Sequence, residues 1–191
     1  RVQGGADLNG RFDLEALGVQ ERYAADGGLV SVEEEVSIED ASRRALGAFA
    51  LVEGRLLPRL VLSAGVRWDH VRAGNEGGYF GDRETSHGAA SGALALVAGP
   101  LLATTLTVQA SRGFRDPTLS DRYYRGVSGR GFVTGNPDLE PERSVQYDVA
   151  LRRPGRVRAA LYLYRYEIRD LVERYRDGTD YFFRNRGRAL L

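Results

Sequence analysis

The chain has 191 residues, 42% apolar and 28% charged, with no cysteine and a formal net charge of +1. This excludes disulfides, thiolate metal sites and a long-range field for nucleic acid. A mean hydropathy of −0.35 and the lack of a run of about 18 apolar residues exclude a transmembrane helix, but a β-barrel evades that test because only alternate strand residues face lipid.

Period-2 alternation predicts strands along the whole chain. From Gly5 to Ala16, Asp7, Asn9, Arg11, Asp13 and Glu15 share one face, and Ala6, Leu8, Gly10, Phe12 and Leu14 share the other. Residues 17 to 43 hold Asp26-Gly27-Gly28, the acidic run Glu33-Glu34-Glu35 and Glu39-Asp40, and read as a long polar connection. A solvated loop is the plainer reading of the acidic run, a divalent-cation site the sharper one. Ala45 to Leu56 is the next strand, with Leu46, Ala48, Ala50 and Val52 on its apolar face, and Leu57-Pro58 turns it. Leu60 to Asp69 returns with Leu60, Leu62, Ala64, Val66 and Trp68 opposite Ser63, Gly65, Arg67 and Asp69.

Residues 71 to 86 read as a Gly-rich polar loop, and His87 to Ala98 as a strand of small residues turned by Gly99-Pro100. Thr104 to Gly113 alternates Leu106, Val108 and Ala110 against Thr105, Thr107, Gln109 and Ser111, and Pro117 ends it. A long loop follows to residue 143. Val145, Tyr147, Val149 and Leu151 then alternate with Gln146, Asp148, Ala150 and Arg152, and Arg153-Pro154-Gly155 turns the chain. Val157 to Ile168 is a further strand whose faces blur after Arg165; Asp177-Gly178 marks a turn, and Tyr181 to Leu191 is the eighth strand.

Short turns alternate strictly with long connections, the asymmetry of an outer-membrane barrel with tight periplasmic turns and elaborated extracellular loops. Strands of about 10 to 14 residues exceed the usual 5 to 6 and suit a tilted bilayer crossing. Asp7, Arg11, Asp13, Glu15, Arg67, Asp69, Asp148 and Arg152 all lie opposite the apolar rows, as a hydrated lumen requires. Trp68, the only Trp, ends an apolar row where an interfacial girdle would lie, or packs in the core of a soluble sandwich.

Two motifs flank the long central loop. Phe114-Arg115-Asp116-Pro117 resembles the FRxP box, and the stretch from Asn136 through Pro137, Leu139 and Pro141 to Glu142 resembles the NPxLxPE box, of TonB-dependent outer-membrane receptors. Asp116 departs from the small residue usual in the first box, while Tyr162 to Val172 followed by Asn185-Arg186-Gly187-Arg188 is similar to the family's next hairpin. The resemblance implies an all-β, antiparallel transmembrane β-barrel, here a partial one of about eight strands from a ring of about 22. It also implies a single partial barrel domain over residues 1 to 191 with the plug domain absent, a bacterial outer-membrane location, a TonB-type energy transducer as partner through segments not in this sequence, and import of a scarce nutrient.

No catalytic constellation is present, so no enzyme activity, cofactor or metal site is expected. His70 and His87 flank one loop without a third ligand at metal spacing, and residues 126 to 131, GVSGRG, lack the strand-to-helix context and Lys of a phosphate loop. The candidate substrate-binding residues are Arg122, Tyr123, Tyr124, Arg125, Arg130 and Phe132. Arg supplies fixed cationic donors and the aromatics supply stacking faces, chemistry suited to a ferric siderophore, with cobalamin as the alternative ligand. A passive porin and a soluble β-sandwich share the alternation but not the boxes. Loop against loop packing is the plain reading of each candidate side chain.

Overall fold

The computed structural model describes residues 1–129 and 131–191, so Arg130 lies outside the described residues. The chain is a meander of long strands interrupted by one excursion. β1 (Val2–Tyr23), β2 (Leu29–Leu57), β3 (Leu60–Glu76), β4 (Asp82–Leu101) and β5 (Thr104–Arg115) run in sequence. The excursion carries α1 (Leu119–Tyr123), β6 (Arg125–Ser128) and β7 (Gly131–Thr134), before β8 (Glu142–Arg153), β9 (Ala159–Asp177) and β10 (Asp180–Leu190) complete the sheet. The long strands pair antiparallel in the order β1-β2-β3-β4-β5-β8-β9-β10, with β7 and β6 added beyond β10. β7 joins β10 in parallel through Tyr181 with Val133 and Phe182 with Thr134, and β6 reaches β2 through an ion pair between Arg125 and Glu35. The excursion thus spans from one end of the sheet to the other, and the sheet curls into a nearly closed barrel.

Period 2 places the side chains as the sequence predicts. Register aligns Leu62, Leu96, Val108, Val149 and Leu163 across neighbouring strands on one face, and Ser63, Ala95, Gln109, Asp148 and Tyr164 on the other. The excursion covers the second face, where Asp69, Val71, Ala73 and Asn75 are buried, whereas Val66 and Trp68 on the first face are 66% and 50% exposed. The apolar rows are therefore outside and the charged rows line the lumen. Low on the inner wall, the Arg67 guanidinium lies across Gly47, where a Cβ would meet its Nη2 at 1.9 Å. This lets it reach Asp7 at 2.7 Å and Asp69 at 2.7 Å together.

The predicted eight long strands are present, but their bounds and some faces differ. The connection expected over 17 to 43 is mostly strand: β1 runs to Tyr23 and β2 begins at Leu29, with reversal at Gly27 (φ 87°). The loops expected over 71 to 86 and 169 to 180 likewise shrink to 77–81 and 178–179. In these extensions the inner face of β2 and β3 is buried under the excursion through a mixture of polar and apolar residues, Ser37, Ile38, Ala41, Val71, Ala73 and Asn75, so they carry no clean apolar alternation for a period-2 test to detect. The turn expected at Gly99-Pro100 sits instead at Leu102 and Ala103, both with positive φ (48° and 62°), the backbone of a primed two-residue hairpin. Residue type gives no sign of it there.

The clean alternation expected through Ala16 also breaks. Asp13 has a positive φ of 53°, register shifts between Arg11 and Leu14, and this bulge turns Leu14 and Ala16 inward. There they pack on a lumenal core of Ile38, Ala41, Ala73, Leu119 and Tyr123.

The two faces give a direct test. Val108→Arg, on the outer row, is expected to destabilise the folded barrel in lipid by about 2–4 kcal/mol, while Gln109→Arg on the neighbouring lumenal row changes little. Urea titration of the two variants in phospholipid vesicles measures the difference.

Candidate functional site

The excursion holds its shape through short-range bonds that its sequence encodes. Pro117 leads into Thr118, whose hydroxyl accepts from the Asp121 amide while the Asp121 carboxylate accepts from the Thr118 amide, a capping box that starts α1. Leu119 and Tyr123, four residues apart, share the face of α1 that packs on β2 and β3. The chain then folds back on the helix: Gly135 donates to the Tyr124 carbonyl at 2.7 Å and Asn136 to the Asp121 carbonyl at 2.9 Å. A Cβ at Gly135 would meet the Arg122 carbonyl oxygen at 2.6 Å, so only glycine permits this approach.

The two boxes tie the excursion to the wall. Arg115 donates from Nε and Nη2 to both Glu142 carboxylate oxygens at 2.9 Å, joining the last residue of β5 to the first of β8. Glu142 Oε1 also accepts from the Val172 amide at 2.8 Å, so the side chain stands in for a ladder partner where β8 ends. Asn136 donates to the Phe183 carbonyl at 3.2 Å. Asn185 answers from β10, accepting from the Glu140 amide at 2.8 Å and donating to the Glu140 and Asp170 carbonyls at 2.8 and 2.7 Å. Leu139, Pro117 and Pro141 are buried, and Phe114 and Pro137 half-buried.

The predicted site residues separate into two groups. Arg122 and Tyr123 are 1% and 0% exposed and serve as packing. Arg122 donates from Nη1 to the Pro137 carbonyl at 2.8 Å and lies 3.2 Å from His87 Nε2, and it shares the buried Asp116 carboxylate with Arg43 at 3.6 and 3.5 Å. Burial pushes the Tyr123 phenol up. The four-residue spacing of Leu119 and Tyr123 is the signal that marks this inward face.

Tyr124, Arg125 and Phe132 instead border a cleft of about 660 Å³, closed on its other side by Gln20 and Glu33 to Glu35. The Arg125 guanidinium stacks 4.1 Å from the Tyr79 ring centroid and 4.9 Å from that of Phe132, and it bonds Glu35. Tyr124 donates to the Val127 carbonyl at 3.0 Å, lying over Gly126, whose φ of 156° and close contact with the phenol favour glycine. Tyr79 escapes sequence reasoning, lying in a segment read only as polar, and Glu35, part of the acidic run expected in a loop, lies on β2 and bonds Arg125.

His70 and His87 do not meet. His87 faces the lumen against Arg122, and His70 faces out, stacked 5.8 Å from Trp68. No group of three or more His, Cys, Asp or Glu side chains is placed to hold a metal among the described residues.

The Arg115–Glu142 bridge makes the boxes pH-sensitive. Burial works to raise the Glu142 carboxyl, but the Arg115 hydrogen bond and the Val172 amide outweigh it and hold the group below its ordinary range. A depressed carboxylate contributes its stability above the unfolded pKa and loses it as pH falls through the folded one. Protection of the amides in the excursion, measured against the intrinsic exchange rate at each pH, is therefore expected to fall below about pH 4, and Glu142→Gln is expected to show the reduced protection already at neutral pH. Arg122→Ala, which leaves buried Asp116 with Arg43 as its remaining cation and the Pro137 carbonyl without its donor, is expected to cost about 3 kcal/mol by the same measurement.

The family model "TonB dependent receptor-like, beta-barrel" matches residues 2–190. No curated protein matches the chain in sequence. Among solved structures, the copper transporter OprC aligns with a TM-score of 0.72 at 17% identity, covering 96% of this chain and 30% of that one. The hemophore receptor HasR of Serratia marcescens, solved with its hemophore and heme, aligns at 0.68 and 13%, covering 99% and 38%. The ferric-catecholate import receptor Fiu of E. coli aligns at 0.54 and 14%, covering 98% and 30%. The chain thus spans about a third of the length of the structures it matches. With the family model matched over nearly its whole length, this chain belongs to the TonB-dependent receptors, bacterial outer-membrane transport proteins, as part of their β-barrel.

Proposed function

We propose that the chain is a single partial barrel domain of an outer-membrane active-transport receptor that takes up a ferric siderophore with energy from a TonB-type inner-membrane transducer. The observation that carries the ligand reading is Arg125, stacked between Tyr79 and Phe132 and ion-paired with Glu35 at the mouth of the cleft. A planar cation framed by aromatic faces suits a pre-chelated, anionic and often aromatic ferric complex, whose metal is already saturated and whose organic shell must be recognised. Such a ligand displaces Glu35 and keeps the stacking. Tyr124 and Phe132 serve as the walls, and Arg122 and Tyr123 act from behind by fixing the excursion that presents Arg125.

Haem fits less well. The stretch between the boxes contains no His, and of its tyrosines Tyr123 is fully buried while the Tyr124 hydroxyl is committed to Val127. A passive channel is disfavoured by an excursion that occupies the upper lumen.

The test is binding to the full-length receptor. Arg125→Ala is expected to weaken a ferric catecholate siderophore about tenfold or more, the loss of a charge-assisted contact, and Glu35→Gln to tighten it or leave it unchanged. Tight haem binding whose absorption shift vanishes on mutating Tyr123 and Tyr124 would overturn the siderophore reading.

A further inference from the structure

The outer wall departs from its apolar rows in one place. Arg112 follows Leu106, Val108 and Ala110 on the outer face of β5, and Arg143 precedes Val145 and Tyr147 on that of β8. Register carries the second of these onward, so that Arg143, Arg169 and Arg188 stand directly opposite one another on β8, β9 and β10. Like charges so placed are destabilising unless an anion lies between them. The chain supplies a single one: Glu167, a row below, accepts from Arg169 Nε at 3.0 Å and from Arg188 Nη2 at 2.6 Å, with Arg165 at 3.9 Å. That carboxylate serves three arginines, whereas Arg112 and Arg143 have neither an ion pair nor a side-chain hydrogen bond among the described residues. Arg112, Arg143 and Arg169 border an outer cleft of about 270 Å³. β5, β8 and β9 each have both neighbours in the ladder, so this stretch of wall is fully paired and faces lipid whatever fills the lumen.

Beside the cleft the wall is hollowed. Ala64, Ala90, Gly92 and Ala110 form the floor of an apolar groove of about 550 Å³ on the outer face, flanked by Val66 and Tyr147. At Gly92 a Cβ would meet the Gly65 carbonyl oxygen at 2.6 Å, which keeps the floor bare. Arg112 and Val145 border both the groove and the cleft, so the two are continuous.

We propose that this face holds a phosphate-bearing lipid of the leaflet on the side of the two boxes, its headgroup among Arg112, Arg143 and Arg169 and one acyl chain along the groove. An apolar trough that opens onto uncommitted cations is complementary to such a molecule, while a second copy of the same face is repelled by the same arginines. Each free fork presents two donors to phosphate oxygens side by side. The phosphate replaces the contact between like charges at Arg143 and Arg169, and Glu167 keeps Arg169 and Arg188 in line. Near the border of the bilayer an outward arginine costs little and attracts anionic lipid. The inference stands on the outer wall alone and does not depend on the ligand read for the Arg125 cleft.

The experiment is native mass spectrometry of the full-length receptor in nonionic detergent, titrated with three probes: dioleoyl phosphatidic acid, dioleoylglycerol, which keeps the chains and lacks the phosphate, and inorganic phosphate, which lacks the chains. Phosphatidic acid alone is expected to stay bound. Arg112→Gln and Arg143→Gln are each expected to weaken it about fivefold, Arg112→Lys by less, and Ala110→Phe, which fills the groove, to weaken it with every arginine in place. Arg153→Gln, at the opposite end of β8, and Arg125→Ala are expected to change nothing. Neither Arg112→Gln nor Arg143→Gln removes a recorded bond, so their thermal unfolding is expected to match the parent and a lost lipid reports on the site itself. Equal retention by the Arg112→Gln, Arg143→Gln double variant, retention of dioleoylglycerol to the same extent, or an equal loss on Arg153→Gln would overturn the proposal. So would binding of inorganic phosphate that the double variant abolishes, which would make this a site for the free anion.

Discussion

In hydrocarbon there is no water to satisfy a backbone amide or carbonyl, so every one that crosses must be paired by a neighbouring strand. The rest of this molecule depends on that constraint. It forces long strands into a continuous antiparallel ladder, and the ladder curls so that one side chain in two meets lipid. The outer rows are accordingly Leu, Val and Ala, from Leu62 across to Leu163. The inner rows are free to hold Arg67, Asp7, Asp69 and Asp148, since the lumen is wet. Trp68 ends the outer apolar row of β3; beyond it β2, β3 and β9 continue as strands, and the inner face of β2 and β3 is buried by the excursion instead of lining open lumen.

Inside this wall the excursion is a separate structural problem, solved with polar staples instead of apolar area. Among the described residues it contributes Leu119 and Tyr123 to the lumenal core, with Tyr124 packed against them. Its position rests on Arg115 with Glu142, on Asn136 with Phe183, and on Asn185 with Glu140 and Asp170. The staples tie the two boxes to each other and to β10, so two short motifs separated in sequence close one loop. The result is a rigid base under a hairpin, β6 with β7, that carries Arg125 across to β2.

Much of the fold was legible because alternation is a strong signal wherever one face meets lipid. The central strands Leu60 to Asp69, Thr104 to Gly113 and Val145 to Arg152 lie where the pattern puts them. Legibility failed in two physical situations. Beyond the outer apolar rows the buried face mixes polar and apolar residues, such as Ser37, Ile38, Val71 and Asn75, so strand reads as loop over 17 to 43 and 71 to 86. From Asp13 to Leu17 a run of register shifts changed the faces, and at Leu102 and Ala103 left-handed backbone fell on residues that do not announce it. At the site, residue chemistry singles out the segment 122 to 132, but not the direction of each side chain. Arg122 and Tyr123 look like ligand contacts by type and are buried by the helical spacing of α1, while Glu35 and Tyr79 come from strands and turns that only the closed ring brings near.

The central claim is that alternate residues of one strand face lipid and lumen up to Trp68 and not beyond. Single cysteines at successive positions from Leu60 to Glu76 of the receptor in membranes, carrying nitroxide labels, test it by their collision rates with oxygen dissolved in lipid and with a nickel chelate in water. High oxygen and low nickel accessibility at 60, 62, 64, 66 and 68, the reverse at 61, 63, 65 and 67, and loss of the lipid signal from 72 onward is the predicted pattern. Lipid contact at the odd positions, or uniform water contact along the strand, would contradict it.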